Sequence, residues 1–256
     1  MTTRISRLDT LSLRMKPAAL LLTAALSFGL GASVAQAEVI VTTGAGYVPM
    51  VKALVAAYQT ETGAKVGTAF GGNIGQMLAQ TASGSGVNVV VSDRASLGKF
   101  KMLDKEEVVL GTTPIVLIWK KGLSLTAPED LAKPEVERIA YPDPKAAVYG
   151  RAAQDFLTTS GLAAKIEGKT NVVSTVPQVT AYVAKGEMDA GFVNRLAANA
   201  QKAKLGGSLE ITDRHQPIVM TARPVEGAAK AEDVRAFLDW LSGESAKKIL
   251  RENGLD

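Results

Sequence analysis

Apolar positions along this chain switch repeatedly between a strand pattern and a helix pattern. A short apolar run from Val39 gives way at Gly44 to a segment in which Val51, Leu54, Val55 and Tyr58 stand three and four residues apart. Pro49 falls in the first turn of that predicted helix, where a missing N–H costs little, and Gly63 closes it. Residues 64–70 resume as a strand. A second glycine loop, Gly71-Gly72-Asn73, then opens a helix carrying Ile74, Met77 and Leu78. The apolar run 87–91 is nearly continuous, as expected of a strand buried on both faces. Further strands are expected at 139–142, 188–193 and 217–222. A Gly150-centred loop leads into a helix through Phe156 and Leu157. Val176, Val179, Tyr182 and Val183 mark another helix, closed by Gly186. Val234, Phe237, Leu238 and Leu241 line a further one, and Ile249 and Leu250 belong to the last.

Repeated strand–helix units predict an α/β protein with mostly parallel sheets. The long apolar segment 108–119 is interrupted at Gly111 and Pro114, which suits a strand that leaves one lobe for another. A return is expected near Gln216-Pro217. The predicted organisation is therefore one lobe from 38–112 plus 217–256 and a second from 113–216.

The first 37 residues carry a different pattern. Arg4, Arg7, Arg14 and Lys16 precede an apolar stretch that begins at Ala18, and Ala35-Gln36-Ala37 is a small-x-small cleavage site. The stretch is short and broken by Gly29 and Gly31, so a cleaved signal peptide (1–37) is expected rather than a membrane anchor. Its removal takes out four bases and one acid. The formal charge of +4 then falls to +1, with 25 Lys and Arg against 24 Asp and Glu, so the basic balance gives no reason to expect nucleic acid as a partner. The chain has no cysteine, which excludes disulfides, a thiol nucleophile, a cysteine zinc site and a lipid-anchor cysteine. A free periplasmic protein is expected.

Three glycine-bearing loops follow predicted strands: 42–46, 71–73 and Tyr149-Gly150 after Asp143-Pro144. Loops that feed helices expose backbone N–H groups, and glycine lets a ligand approach the backbone. Together they point to a cleft for a small anion or polar solute. Gly44-x-Gly46 is not a dinucleotide fingerprint, because Pro49 stands where the third small residue belongs. His215 is the one histidine of the chain, and there is no Gly-x-Ser-x-Gly. Ser245-Ala246-Lys247-Lys248 matches Ser-x-x-Lys, but its partner motif is out of order. A secreted hydrolase using His215 is the alternative from a different class.

The order of ETGAKV (61–66), DPKAAVYGRAAQDFL (143–157), GEMDAGFV (186–193), DRHQPIVMTARPV (213–225) and FLDWLSGESAKKILRENGL (237–255) resembles the molybdate-binding proteins of ABC importers across the whole predicted mature chain. That resemblance implies a two-lobed periplasmic-binding-protein fold of type II, which closes on molybdate or tungstate and delivers it to a membrane permease. It implies no catalysis and no cofactor, a metal held only within its oxyanion, and a monomer. Carried onto this sequence, it places Thr43, Gly46, Gly72, Asn73, Tyr149, Val176 and Asn194 on the cleft wall. Gly46, Gly72, Asn73 and Val176 would give backbone donors, Asn73 and Asn194 amide donors, and Tyr149 a phenol. Departures are visible: Gly46 stands where the family offers a serine, and Asn194 where it offers a tyrosine. A different anion or a small organic solute on the same scaffold is the first alternative. Arg94, Arg151 or Arg195 pointing into the cleft would favour a different anion or an anionic complex.

Overall fold

The strand–helix alternation is realised in a computed structural model that describes residues 39–256; the expected signal peptide and its cleavage point lie outside the described residues. In chain order the elements are β1 (Val39–Thr43), α1 (Val48–Thr62), β2 (Val66–Thr68), α2 (Ile74–Ala82), β3 (Val89–Asp93), α3 (Arg94–Gly98), β4 (Val108–Thr113) and β5 (Ile115–Lys120). There follow β6 (Ile139–Pro142), α4 (Val148–Thr159), α5 (Leu162–Lys165), β7 (Thr170–Val173), α6 (Val176–Lys185), β8 (Ala190–Asn194) and α7 (Arg195–Ala200). The chain ends with β9 (Leu205–Ile211), β10 (Ile218–Pro224), α8 (Glu232–Leu241) and α9 (Glu244–Glu252).

These strands form two five-stranded sheets on one plan, β2-β1-β3-β10-β4 and β7-β6-β8-β5-β9. Four strands of each run in one direction, and one, β10 in the first sheet and β5 in the second, runs against both of its neighbours. The sheets are therefore mostly parallel in direction, as expected, and mixed through one reversed strand apiece. The cause is the crossing: β5 and β10 each enter their sheet directly from the other one, without a helical crossover to reverse direction. Pro114 lies between β4 of the first sheet and β5 of the second, and the chain returns between β9 and β10.

Each sheet is covered by amphipathic helices. On α1, Met50, Val51, Leu54, Val55 and Tyr58 are buried, and Tyr58 packs edge-on against Phe237 (5.1 Å between ring centroids) and Trp240 (5.5 Å) of α8. Burying side chains of this size is worth about 1.5–3 kcal/mol apiece, which ties the opening strand–helix unit to the closing helices of the same lobe. The central strands β3, β5 and β8 are buried almost throughout, as their continuous apolar runs require.

The helix expected after a Gly150-centred loop starts earlier, at Val148, with Gly150 inside its first turn. A Cβ at position 150 would lie 2.1 Å from the carbonyl oxygen of Pro142, so only glycine lets α4 begin this close to the end of β6.

Candidate ligand site

The site forms where four helices begin. A single turn at 45–47 leads into α1, and the Ala45 N–H donates to the carbonyl of Gly72 (2.7 Å), tying the first two loops together. Asn73 caps α2 in a capping box with Gln76: the Gln76 N–H donates to Asn73 Oδ1 and the Asn73 N–H to Gln76 Oε1, both at 3.0 Å. That box requires glycine before it, since Gly72 has φ +139 and a Cβ there would meet Gln76 Oε1 at 2.0 Å. Thr175 and Gln178 make the same reciprocal cap for α6, with Pro177 in its first turn. At α4, Ala147 has no capping side chain; instead the turn from Asp143 gathers the N–H groups of Ala146 and Ala147 onto its carbonyl.

Side-chain caps satisfy the third N–H of α2 and α6 and leave the first, that of Ile74 and of Val176, aimed past the helix start. Val148 and Tyr149 present the equivalent groups of α4. The N-termini of α1 and α2 from the first lobe and of α4 and α6 from the second surround a common cavity of about 30 Å³. By that measure one water needs roughly 10–15 Å³, so the space suits a solute of a few heavy atoms and excludes a nucleotide or peptide. Of the described residues that line it, none carries a charge. The polar side chains among the lining residues are those of Tyr47, Asn73, Ser92, Tyr149 and Thr175.

Tyr47 and Tyr149 enter from opposite lobes, are both buried, and hydrogen-bond hydroxyl to hydroxyl. Burial pushes both phenol pKa values above the ordinary value, and the Thr113 side chain lies beside both hydroxyls. Both therefore stay protonated and uncharged at neutral pH.

Of the residues expected on the cleft wall, Gly46, Asn73, Tyr149 and Val176 line the cavity. Gly72 lies behind it, its carbonyl accepting from Ala45. Thr43 stops one residue short at the end of β1, its hydroxyl buried with no hydrogen-bond partner among the described residues. Asn194 also stands outside the lining. Its Nδ2 donates to the Gly46 carbonyl (2.9 Å) and its Oδ1 accepts from the Ala197 N–H (2.8 Å), so the amide expected to face a ligand is engaged in joining the lobes and capping α7. The Asn73 side chain caps α2 and reaches Ser174 at 3.5 Å, at the limit of a hydrogen bond.

None of the three candidate arginines lines the cavity. Arg94 pairs with Glu107 at 2.7 Å and is half exposed. Arg151 reaches across the lobes to Asp93 (2.6 Å) and Ser96 (3.2 Å). Arg195 pairs with Glu210 (2.6 Å) and Asp256 (2.8 Å), and these bonds push its pKa up. His215 lies away from the cavity, with Nδ1 2.8 Å from the Gln216 carbonyl and Nε2 3.0 Å from that of Ile211. The ring is thus held against two backbone carbonyls, apart from the cavity where the helix starts meet.

Sequence reasoning passed over Ile74, Val148 and Thr175, and named Tyr47 only by its nearness to Gly46. Two of these carried a legible signal: Asn73-x-x-Gln76 and Thr175-x-x-Gln178 both have the spacing of a capping box.

Residues 39–256 match the family of bacterial extracellular solute-binding proteins. The chain belongs to that family. Within this solute-binding family it is similar to the molybdate-binding protein ModA of Rhodobacter capsulatus, 29% identical over 90% of this chain and 92% of the relative. ModA of Azotobacter vinelandii is 28% identical over 91% and 96%. The solved periplasmic molybdate-binding protein of Azotobacter vinelandii superposes with a TM-score of 0.76 at 25% identity, covering 85% of this chain and 98% of that one. The chain is thus a divergent, ModA-like solute-binding protein of the ABC-transporter type with the two-lobed α/β fold. No helix among the described residues is long and apolar enough to cross a membrane.

Proposed function

We propose that this solute-binding protein captures one small, proton-free tetrahedral oxyanion, molybdate or tungstate foremost, and hands it to the permease of an ABC importer. The observation that carries this reading is the convergence of four helix N-termini, two from each lobe, on a small cavity whose lining includes five polar side chains and no charged group. A helix start brings partial positive charge and unpaired backbone N–H groups toward a ligand, which suits an anion. An oxyanion without protons can only accept hydrogen bonds, so it needs no carboxylate to take a proton from it. Asp93, next in the chain to Ser92 of the lining, is already engaged by the Ser96 N–H (3.0 Å) and Arg151. Hydrogenphosphate, which must also donate, is the poorer fit.

In this reading the ligand takes N–H groups from Gly46, Ile74, Val148 and Val176 and the phenol of Tyr149. Thr43, Gly72, Asn73 and Asn194 shape and brace that wall. The lobes, 38–112 with 217–256 and 113–216, close about the crossings at Pro114 and between β9 and β10. The mature protein, cut after Ala37, works as a monomer in the periplasm. The names of its ModA relatives support the choice of anion; Gly46 and Asn194, where the family resemblance implied serine and tyrosine donors, support a second reading in which another unprotonated oxyanion such as sulfate is the cargo.

Calorimetry of the mature protein against molybdate, tungstate, sulfate, phosphate and vanadate decides. Molybdate or tungstate is expected to bind most tightly and to raise the melting temperature with concentration. Failure of both to bind with a Kd below about 100 µM, roughly −5.5 kcal/mol, would overturn the assignment.

A further inference from the structure

The phenol pair across the cleft leads further. We infer that Tyr47 is a second ligand-contacting residue, and that Tyr47 and Tyr149 act as a two-hydroxyl clamp which selects an oxygen able to accept from both. This rests on the oxyanion reading above. Tyr47 sits on the single turn before α1 in one lobe and Tyr149 in the first turn of α4 in the other. Both residues line the same cavity as the helix N–H groups, with their ring centroids 6.0 Å apart.

In the hydroxyl–hydroxyl bond one phenol donates and the other accepts, so the pair commits one of its two protons internally. An anionic oxygen placed between them receives both protons. Two charge-assisted hydrogen bonds then replace one neutral bond, and charge-assisted bonds are roughly twice as strong. The exchange favours an acceptor-only oxygen. A protonated ligand oxygen carries less negative charge, so its bonds from the two phenols are weaker, and its own proton needs a further acceptor. Because burial holds both phenols in the protonated form, the clamp is uncharged and leaves the anion's charge to the helix termini. A tyrosine at 47 thus supplies a side-chain hydroxyl in the very loop where Gly46 supplies none.

The alternative role is purely positional: Tyr47 could hold Tyr149 in place without touching the anion. Tyr47→Phe, Tyr149→Phe and the double variant, titrated by calorimetry with molybdate and sulfate, separate the two. If both phenols donate to the anion, Tyr47→Phe weakens binding about tenfold, and does so whether position 149 is tyrosine or phenylalanine. If Tyr47 only positions Tyr149, its substitution has no further effect once Tyr149 is phenylalanine, and the inference falls. Unchanged affinity of Tyr47→Phe in the wild-type background also overturns it. Circular dichroism and ligand-free melting of each variant report folding separately from affinity. Absence of binding by the wild type would sink the oxyanion reading itself, whereas wild-type binding with an indifferent Tyr47→Phe sinks the clamp alone.

Discussion

Replacing Arg151 with alanine should weaken anion binding without unfolding either lobe. Arg151 stands on α4 of the second lobe and donates from Nη2 to Asp93 Oδ2 at 2.6 Å and to Ser96 Oγ at 3.2 Å, both in the first lobe. The Asp93 side chain is 4% exposed and that of Arg151 27%. Removing one partner of a fully buried pair costs about 3–5 kcal/mol. Here the guanidinium is partly solvated, and Asp93 keeps the Ser96 N–H that caps α3. About 2 kcal/mol is therefore the reasonable figure. The pair spans the cleft, so this loss should fall on closure: with the lobes apart, Asp93 becomes hydrated and still caps its helix. If binding requires closure and the ligand supplies the energy for it, a closure penalty of about 2 kcal/mol raises the apparent Kd by roughly 30-fold. Calorimetry with molybdate measures that change, and ligand-free melting measures the fold. A Kd within twofold of wild type, or a drop in ligand-free stability with no change in Kd, would show that the pair braces structure rather than closure.

Three other perturbations test the geometry. Gly46→Ser should impair binding, because its Cβ would come within 3.2 Å of Asn194 Nδ2 and 3.4 Å of Val176 Cβ; combined with Asn194→Ala, the cost should be smaller than the sum of the two by at least about 0.5 kcal/mol in a double-mutant cycle. Gly150→Ala should destabilise the protein by about 2 kcal/mol or more in urea unfolding, since the added methyl would lie 2.1 Å from the Pro142 carbonyl oxygen. At Asp189, burial alone would raise the carboxyl pKa, but bonds from Lys120 (2.5 Å), the Glu137 N–H (2.9 Å) and the Arg138 N–H (2.7 Å) outweigh it and hold the value at about 2. A depressed folded value gives stability that is present above the ordinary value of 3.8 and lost as pH falls toward 2. Asp189→Asn should cost about 2 kcal/mol at pH 7 and flatten the loss of melting temperature between pH 4 and 2; an unchanged slope would refute the assignment.

Much of the fold could be read from residue spacing because its helices are amphipathic and its central strands are apolar throughout. α1 and α8 carry their buried residues three and four apart, and both helices form as expected. Two edge strands escaped notice. On β7, exposed and half-buried residues alternate over only four positions, and just the last two, Val172 and Val173, are apolar. On β9, Gly206 and Gly207 leave a gap in the pattern, which the Trp119 ring of β5 fills: a Cβ at 207 would lie 2.2 Å from it. An edge strand pairs on one side only, so its sequence need not carry a strong apolar signature. The one reversed strand of each sheet, β10 and β5, was not foreseen for a related reason. Direction depends on how the chain crosses between lobes, and local spacing does not encode that.

The site was legible at the level of loops and much less so at the level of atoms. A glycine after a strand signals an available backbone, but which N–H groups remain unpaired depends on the caps, as Asn73 and Thr175 show. The two departures from the family resemblance, glycine at 46 and asparagine at 194, looked independent because 148 residues separate them. In the fold they are one feature. The Asn194 amide donates to the Gly46 carbonyl and stands 3.2 Å from where a side chain at 46 would begin. A short polar side chain at 194 can reach that backbone only if 46 has no side chain of its own, and the engaged carbonyl in turn orients the turn that carries Tyr47. Glycine at 46 and asparagine at 194 are thus two sides of one contact, made next to the turn from which Tyr47 reaches Tyr149.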